Sequence, residues 1–368
     1  MNLNNPIGYK SNQPLQKPFI MNPFRFGGDG SIGGWKELKR TTLESAGDSI
    51  DVTSLPNKRY YMVLGNGLWD SAGGGYTQGD WRFNADTGGN YADRWSVNGG
   101  GDGTNVNINR IHQGQIQNDM SFQIGYISNL ADKEKLMIGH QVNRYTAGSA
   151  TAPERNEYVG KWANTTNVIS GINFWNSGTG NWDIGSELVV LGWDPTDTHT
   201  DTDNFWQELA SATAVGGTET FETGTFAAKK YLWVQAWIQG DGTNNGLDMY
   251  VNSDTGTNYS YRYSTNGAGD TTGTLVKQLL LGGGWASTEK FFMNAFIVNN
   301  SANEKLAIGH VVTNIGSTGA GNPPTRREET GKWANTSTQI TKVGFKNRES
   351  TTGQNISAGS MIKVWGHD

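Results

Sequence analysis

The sequence predicts an all-β protein: two tandem homologous jelly-roll-like antiparallel β-sandwich domains preceded by an extended N-terminal arm. Three observations predict it. The chain carries one set of motifs twice in the same order, and its apolar residues fall in short runs broken by Gly, Asn, Asp and Thr clusters. No amphipathic helical stretch exceeds a turn or two.

The duplication is explicit. Trp35-Lys-Glu37-Leu38 returns as Trp206-Gln-Glu208-Leu209, and Asp86-Thr-Gly88-Gly-Asn90-Tyr91-Ala-Asp-Arg94 as Asp254-Thr-Gly256-Thr-Asn258-Tyr259-Ser-Tyr-Arg262. Glu134-Lys-Leu-Met-Ile-Gly139-His140 returns as Glu304-Lys-Leu-Ala-Ile-Gly309-His310, and Gly160-Lys-Trp162-Ala-Asn164 as Gly331-Lys-Trp333-Ala-Asn335. Gly185-Ser186 and Asp194 match Gly359-Ser360 and Asp368. The offset stays near about 170 residues, beyond solenoid and propeller periods, so the repeated unit is a whole domain.

The boundaries follow. Residues 1–33 form the arm, 34–194 repeat 1, 195–204 a polar linker and 205–368 repeat 2. The arm holds Pro6, Pro14, Pro18 and Pro23, which exclude a long helix, and has too little apolar content to fold alone. It reads as a disordered tail or as a strap laid on a neighbouring subunit, with Phe19, Ile20, Phe24 and Phe26 as assembly anchors.

In repeat 1 the strand-like runs are Arg59–Leu64, Asp80–Asn84, Tyr91–Ser96, Val106–Asn109, Met120–Ser128, Lys135–Val142, Val168–Trp175 and Glu187–Leu191. Arg82-Phe83-Asn84 and Phe122-Gln123-Ile124 alternate as half-buried strands do. With only 35% hydrophobic residues, the 14 Trp, 13 Tyr and 13 Phe must supply much of the core. The 51 Gly sit in turn clusters without a collagen period. In the linker, alternating Asp and Thr offer oxygens to calcium but lack the Gly and bidentate Glu of an EF-hand loop, and a solvated connector is the simpler account.

A net charge of −5 argues against nucleic acid as a partner. No apolar run is long enough for a membrane span, and no signal-peptide core opens the chain, which implies synthesis in a host cytoplasm. With no cysteine, the fold cannot depend on disulfides.

Candidate sites are few. Asp86, Asn90, Tyr91 and Arg94, with Asp254, Asn258, Tyr259 and Arg262, form the densest repeated polar feature. Asx chemistry with Gly makes them turn residues; alternatively Asp and Asn hold sugar hydroxyls or calcium, Tyr stacks and Arg donates. His140 and His310 lack ligand partners at metal spacing, so no metal and no cofactor is expected. Glu134 and Glu304 lack a second acid for glycoside chemistry, and no nucleophile elbow appears. Trp162 and Trp333 read as buried rings, and Asn164 and Asn335 as chance glycosylation sequons.

Phe83-Asn84-x-Asp86-x-Gly88-x-Asn90-Tyr91, Gly160-Lys-Trp162-Ala-Asn164 and Gly359-Ser360-Met-Ile-Lys-Val-Trp365-Gly366 resemble motifs of uncharacterised virion proteins of tailed bacterial and archaeal viruses, notably marine ones. The stretch from Lys17 to Phe26 resembles N-termini of such virion and fibre proteins. The resemblance covers most of both repeats and implies a non-enzymatic structural protein on the virion surface: a capsid decoration, turret, spike or fibre component. Its partners would be copies of itself, other virion proteins and possible host surface glycans. A carbohydrate-binding adhesin and a double jelly-roll major capsid protein stand as alternatives.

Overall fold

The computed structural model describes residues 34–112, 119–197, 203–240, 246–283, 290–314, 320–348 and 355–368. The arm, with Phe19, Ile20, Phe24 and Phe26, lies outside the described residues.

Repeat 1 runs through β1 (Lys36–Thr42), β2 (Ser49–Thr53), β3 (Tyr60–Gly67), β4 (Gly79–Phe83), β5 (Tyr91–Val97) and β6 (Gly103–Ile108). It continues with β7 (Ser121–Ser128), β8 (Lys135–Asn143), β9 (Glu154–Trp162), β10 (Gly171–Asn176) and β11 (Glu187–Trp193). Repeat 2 runs through β12 (Gln207–Thr213), β13 (Thr220–Glu222), β14 (Tyr231–Gln239), β15 (Leu247–Val251), β16 (Tyr259–Thr265) and β17 (Thr271–Val276). It closes with β18 (Leu280–Gly283), β19 (Lys290–Val298), β20 (Lys305–Thr313), β21 (Thr325–Trp333), β22 (Val343–Asn347) and β23 (Met361–His367).

Each repeat pairs an eight-stranded sheet with a small one. The large sheets are ordered β1-β11-β3-β7-β8-β9-β5-β6 and β12-β23-β14-β19-β20-β21-β16-β17, the same path element for element. The small sheets are β2-β10-β4 and β13-β22-β15-β18. Where repeat 2 has β18, repeat 1 has a lone bridge between Trp81 and Ile111. Every described sheet is antiparallel, none mixes strands of the two repeats, and no α-helix occurs among the described residues. The all-β, two-sandwich expectation therefore holds.

Three strands of repeat 1 fall outside the runs expected from sequence. β1 (KELKRTT) is a polar edge strand, β2 is short, and β9 (ERNEYVGKW) carries charge on its outward face. Polarity suits β1 and β2 because they are edge strands, whereas β9 is interior, between β8 and β5.

Each sandwich has its own core. β3 sends Tyr61 and Val63 inward against Trp81, Phe83 and Phe174, and β14 sends Leu232 and Val234 inward against Met249 and Phe345. Glycine is required where sheets crowd: a Cβ on Gly139 would meet the Tyr158 ring at 2.1 Å, and one on Gly331 the Leu279 carbonyl oxygen at 2.1 Å. That accounts for two of the repeated glycines.

A third apolar cluster belongs to neither sandwich. It gathers the opposite faces of both large sheets: Met62, Leu64, Phe122, Val189 and Leu191 from repeat 1, with Trp206, Trp233, Phe296, Ile308 and Trp365 from repeat 2. The large sheets thus pack back to back, giving four layers in the order small, large, large, small. Trp233 stacks on Phe296 at 5.1 Å and meets Trp206 edge-on at 5.5 Å. Central strands are consequently buried on both faces; β3 is buried continuously from Tyr61 to Gly67.

Because both sandwiches rest on this shared layer, they should unfold together. Trp233→Ala is expected to cost about 3–5 kcal/mol while keeping one transition. Urea unfolding followed by tryptophan fluorescence and by far-UV circular dichroism checks it, since non-coincident curves would mean two independent domains.

Candidate functional site

The two repeated loops are built alike. Asp86 accepts from the Gly88 N–H at 2.8 Å, the Asn90 amide at 2.9 Å and the Trp162 indole at 2.7 Å. Asp254 accepts from Gly256 at 2.8 Å, Asn258 at 2.9 Å and Trp333 at 2.8 Å. Burial opposes the charge on each carboxyl, but the bonds from these donors outweigh it and hold both below the usual carboxylate range. Asn84 and Ala85 have φ of 53° and 54°, and Asn252 and Ser253 have 51° and 55°, so each turn takes two successive left-handed residues. The turn does not close a hairpin: it carries the chain from the small sheet, at β4, to the large one, at β5.

Tyr91 and Tyr259 are buried, stacked at 6.3 Å on Trp162 and Trp333, and hydrogen-bonded to the backbones of Phe83 and Val251. Neither ring has a face free for a sugar. Arg94 and Arg262 do not join the loops. They point to the opposite face of the sheet, Arg94 to Asp102 at 3.1 Å and Arg262 to the Pro153 carbonyl at 2.8 Å. The eight candidate ligand residues therefore divide into a turn set and a seam set.

Sequence reasoning passed over the lysine inside the Glu-Lys-Leu motif. Lys135 and Lys305 are wholly buried, and their ammonium groups donate to the Asn164 and Asn335 carbonyls at 2.9 Å each. Desolvation draws Lys305 down to about 8. Asn164 and Asn335 in turn accept backbone N–H groups two and three residues on, making the sequons Asx turns. In the linker, Asp197 pairs with Lys58 and Asp203 with Lys36 at 2.9 Å. No group of three or more His, Asp or Glu able to hold a metal occurs among the described residues.

The densest chemistry is the seam between the large sheets. His140 and His310, equivalent in the two copies, meet with ring centroids 4.4 Å apart. A pseudo-two-fold axis passes between them, and β8 and β20 cross it in opposite senses: Gly148, beyond β8, donates to Glu304, before β20, at 2.6 Å. On that side residues 144–153 of repeat 1 seal the seam. Lys332 donates to the Thr146 carbonyl at 2.5 Å, Ser260 to that of Thr151 at 2.9 Å and Arg262 to that of Pro153. Arg155 clamps Asp270 at 2.6 Å.

On the other side of the axis the equivalent groups have no such covering loop among the described residues, and residues 315–319 of the corresponding β20–β21 connection lie outside them. Leu136 and Ile138 are each 54% exposed, whereas their counterparts Leu306 and Ile308 are 0% and 2% exposed. Val159 is exposed where Thr330 is buried, and across the axis Val312 is exposed where Val142 is buried. Glu134, Lys161, Arg94 and Asp102 repeat the identities of Glu304, Lys332, Arg262 and Asp270, yet only pair with one another at the surface.

No protein-family model matches the chain, and no curated protein matches it in sequence. Among solved structures, mouse laminin alpha1 chain, domains LG4-5, is similar at 10% identity over 96% of this chain and 93% of that one, with a TM-score of 0.18. The LG1-3 region of the laminin alpha2 chain is similar at 8% identity over 90% of this chain and 61% of that one, with a TM-score of 0.19. At such scores these likenesses carry no functional argument.

Two outcomes are expected. Asp254→Ala, which leaves the Trp333 indole and the Gly256 amide without their acceptor, should cost about 1–3 kcal/mol by urea unfolding, with Asp86→Ala costing similarly.

The second is a pH dependence. Burial, then the neighbouring His310 and Arg155 charges, hold His140 well below its ordinary range; burial, then Arg155 and Arg326, take His310 down to about 4. Between that value and the unfolded histidine range near about 6.5, the unfolded chain binds more protons, so the pair's contribution is present above the unfolded value and lost as pH falls. Buried Glu329, raised to about 8 by desolvation, acts in the opposite sense in an overlapping window. The pair is therefore read by difference. His140→Gln with His310→Gln should flatten the fall in stability from pH 6.5 to 4.5 relative to the parent, measured by urea midpoints; parallel profiles would remove the histidines from the seam's energetics.

Proposed function

We propose that the chain is a non-enzymatic structural protein of a virion surface: a decoration, turret, spike or fibre component that works as one rigid two-sandwich block among copies of itself and other virion proteins. One observation carries this: the back-to-back packing commits a large part of the outer faces of both large sheets to holding the repeats together. The charged groups at the seam are likewise spent on backbone carbonyls and on each other. Such an arrangement supports a load-bearing block better than a reaction centre. The sequence resemblance to virion proteins supports the same assignment.

A carbohydrate site on the repeated loops would need Tyr91 and Tyr259 as stacking platforms, and both are core residues. The double jelly-roll major capsid alternative differs from a decoration in abundance. Quantitative mass spectrometry of purified particles tests the proposal. The chain is expected as a stoichiometric component below the most abundant band. Absence from particles would sink it, a place as the most abundant band would make it the major capsid protein, and glycan-array binding in the micromolar range would make it an adhesin.

A further inference from the structure

His140 and His310 meet at the pseudo-two-fold axis with ring centroids 4.4 Å apart and planes inclined at 69°. Both sit in the seam and keep only part of their surface in solvent. Neither imidazole has a hydrogen-bond or ion-pair partner among the described residues. Imidazole carries a donor or acceptor on each ring nitrogen, and polar groups withdrawn from water are normally paired. Two facing rings whose nitrogens are unclaimed are therefore poorly explained by packing alone.

The surroundings suit a cation. Glu157 is the direct cross-strand partner of His140, and Glu328 that of His310, so each carboxylate shares a face with its histidine. All four side chains line one cleft in the seam. Burial and then the Glu157 charge raise Glu328, so the two carboxylates act on each other across the axis. Arg155, Arg326 and Arg262 are matched by Glu157, Glu328 and Asp270, which leaves no excess positive charge to oppose an ion. The set is also duplicated: His140, Arg155 and Glu157 recur as His310, Arg326 and Glu328.

We propose that His140 and His310 chelate one divalent first-row transition ion, of the Ni²⁺ or Cu²⁺ kind, across the seam. Imidazole nitrogen suits these ions. With metal–nitrogen bonds of about 2.1 Å, two rings on one ion have centroids about 4.5 Å apart at a right angle and about 5.2 Å apart in a tetrahedron. The observed 4.4 Å fits the right angle, the cis arrangement of a tetragonal ion, rather than tetrahedral zinc. The fold fixes that spacing, while χ2, a soft torsion for histidine, sets the aim of each ring. Water completes the coordination and donates to Glu157 and Glu328, so no third protein ligand is required. This agrees with the lack of any larger ligand group among the described residues. Sequence spacing hid the pair because the histidines stand about 170 residues apart and only the back-to-back packing joins them. An ion there ties β8 to β20, and the inference holds whether or not the chain belongs to a particle.

Full-length protein freed of metal with EDTA, the state to which the pair's pH profile refers, is titrated with Ni²⁺ near neutral pH by calorimetry. One equivalent should bind in the micromolar range and raise the urea midpoint of unfolding. Both effects should vanish in His140→Gln with His310→Gln. With one equivalent of Cu²⁺, pulsed electron paramagnetic resonance should count two imidazoles on the ion. A parent chain that takes up no stoichiometric ion overturns the proposal. So does binding that survives the double histidine change, or a Cu²⁺ spectrum with fewer than two imidazoles, since either marks an adventitious ion only. The spectrum is read on the parent chain, so the test stands even where the variant fails to fold.

Discussion

The apolar layer between the two large sheets is the interaction on which the rest of the molecule depends. Removing either sandwich would expose Met62, Leu64, Phe122 and Leu191 on one side, or Trp233, Phe296, Ile308 and Trp365 on the other. A contiguous patch of that kind exceeds what a monomeric surface normally tolerates. Each such side chain contributes about 1.5–3 kcal/mol relative to exposure. Two separate chains would spend roughly 4–15 kcal/mol of that on lost translational and rotational freedom. Joining the copies in one chain reduces that cost, which makes tandem duplication a physical solution rather than a repetition of beads on a string.

Apolar packing of two similar faces leaves their register loosely specified, and the polar seam supplies the missing specificity. Glu187 of repeat 1 accepts from Tyr231 at 2.8 Å and pairs with Lys230 at 3.1 Å, at the end of the seam where the chain passes into repeat 2. Arg155 with Asp270, both nearly inaccessible, fixes another corner. Buried pairs of this kind add little net stability, because desolvation offsets attraction, but a mispaired register would strand their charges. Lys332, drawn down to about 8 by desolvation, shows how far burial has gone at that corner. Residues 144–153 dock on one side of the pseudo-two-fold, and no equivalent docking occurs among the described residues on the other.

Much of this was legible in the sequence, for identifiable reasons. Strands such as β8, whose Met137 faces the sandwich core while Leu136 and Ile138 face outward, advertise themselves by β-branched and apolar content. The Asp-Thr-Gly-x-Asn-Tyr loops were legible as turns through their Asx chemistry; the left-handed residues are not their glycines but the pairs just before them, Asn84-Ala85 and Asn252-Ser253. The seam was not legible. Arg155 and Asp270 stand 115 residues apart, and neither belongs to a conspicuous motif. The grouping of Arg94 with Asp86 failed because strand alternation sends the third residue after Tyr91 to the face away from the core. One signal pointed to the layer: β3 and β14 read Tyr-Tyr-Met-Val-Leu and Tyr-Leu-Trp-Val-Gln-Ala-Trp-Ile, near-continuous apolar runs of the sort that both-face burial requires.

The two halves of the seam also bear on why repeat 1 keeps side chains that its own fold does not use. Glu134, Lys161, Arg94 and Asp102 contribute nothing to the core of repeat 1, and as exposed pairs they are worth at most about 1 kcal/mol each. Within one chain, core positions have changed freely between copies: Trp81 stands where repeat 2 has Met249, and Tyr61 where it has Leu232. Four polar identities are thus retained together with Leu136 and Ile138 at a place where the core packing of the described residues demands none of them. The twin set in repeat 2 holds residues 144–153 inside the molecule.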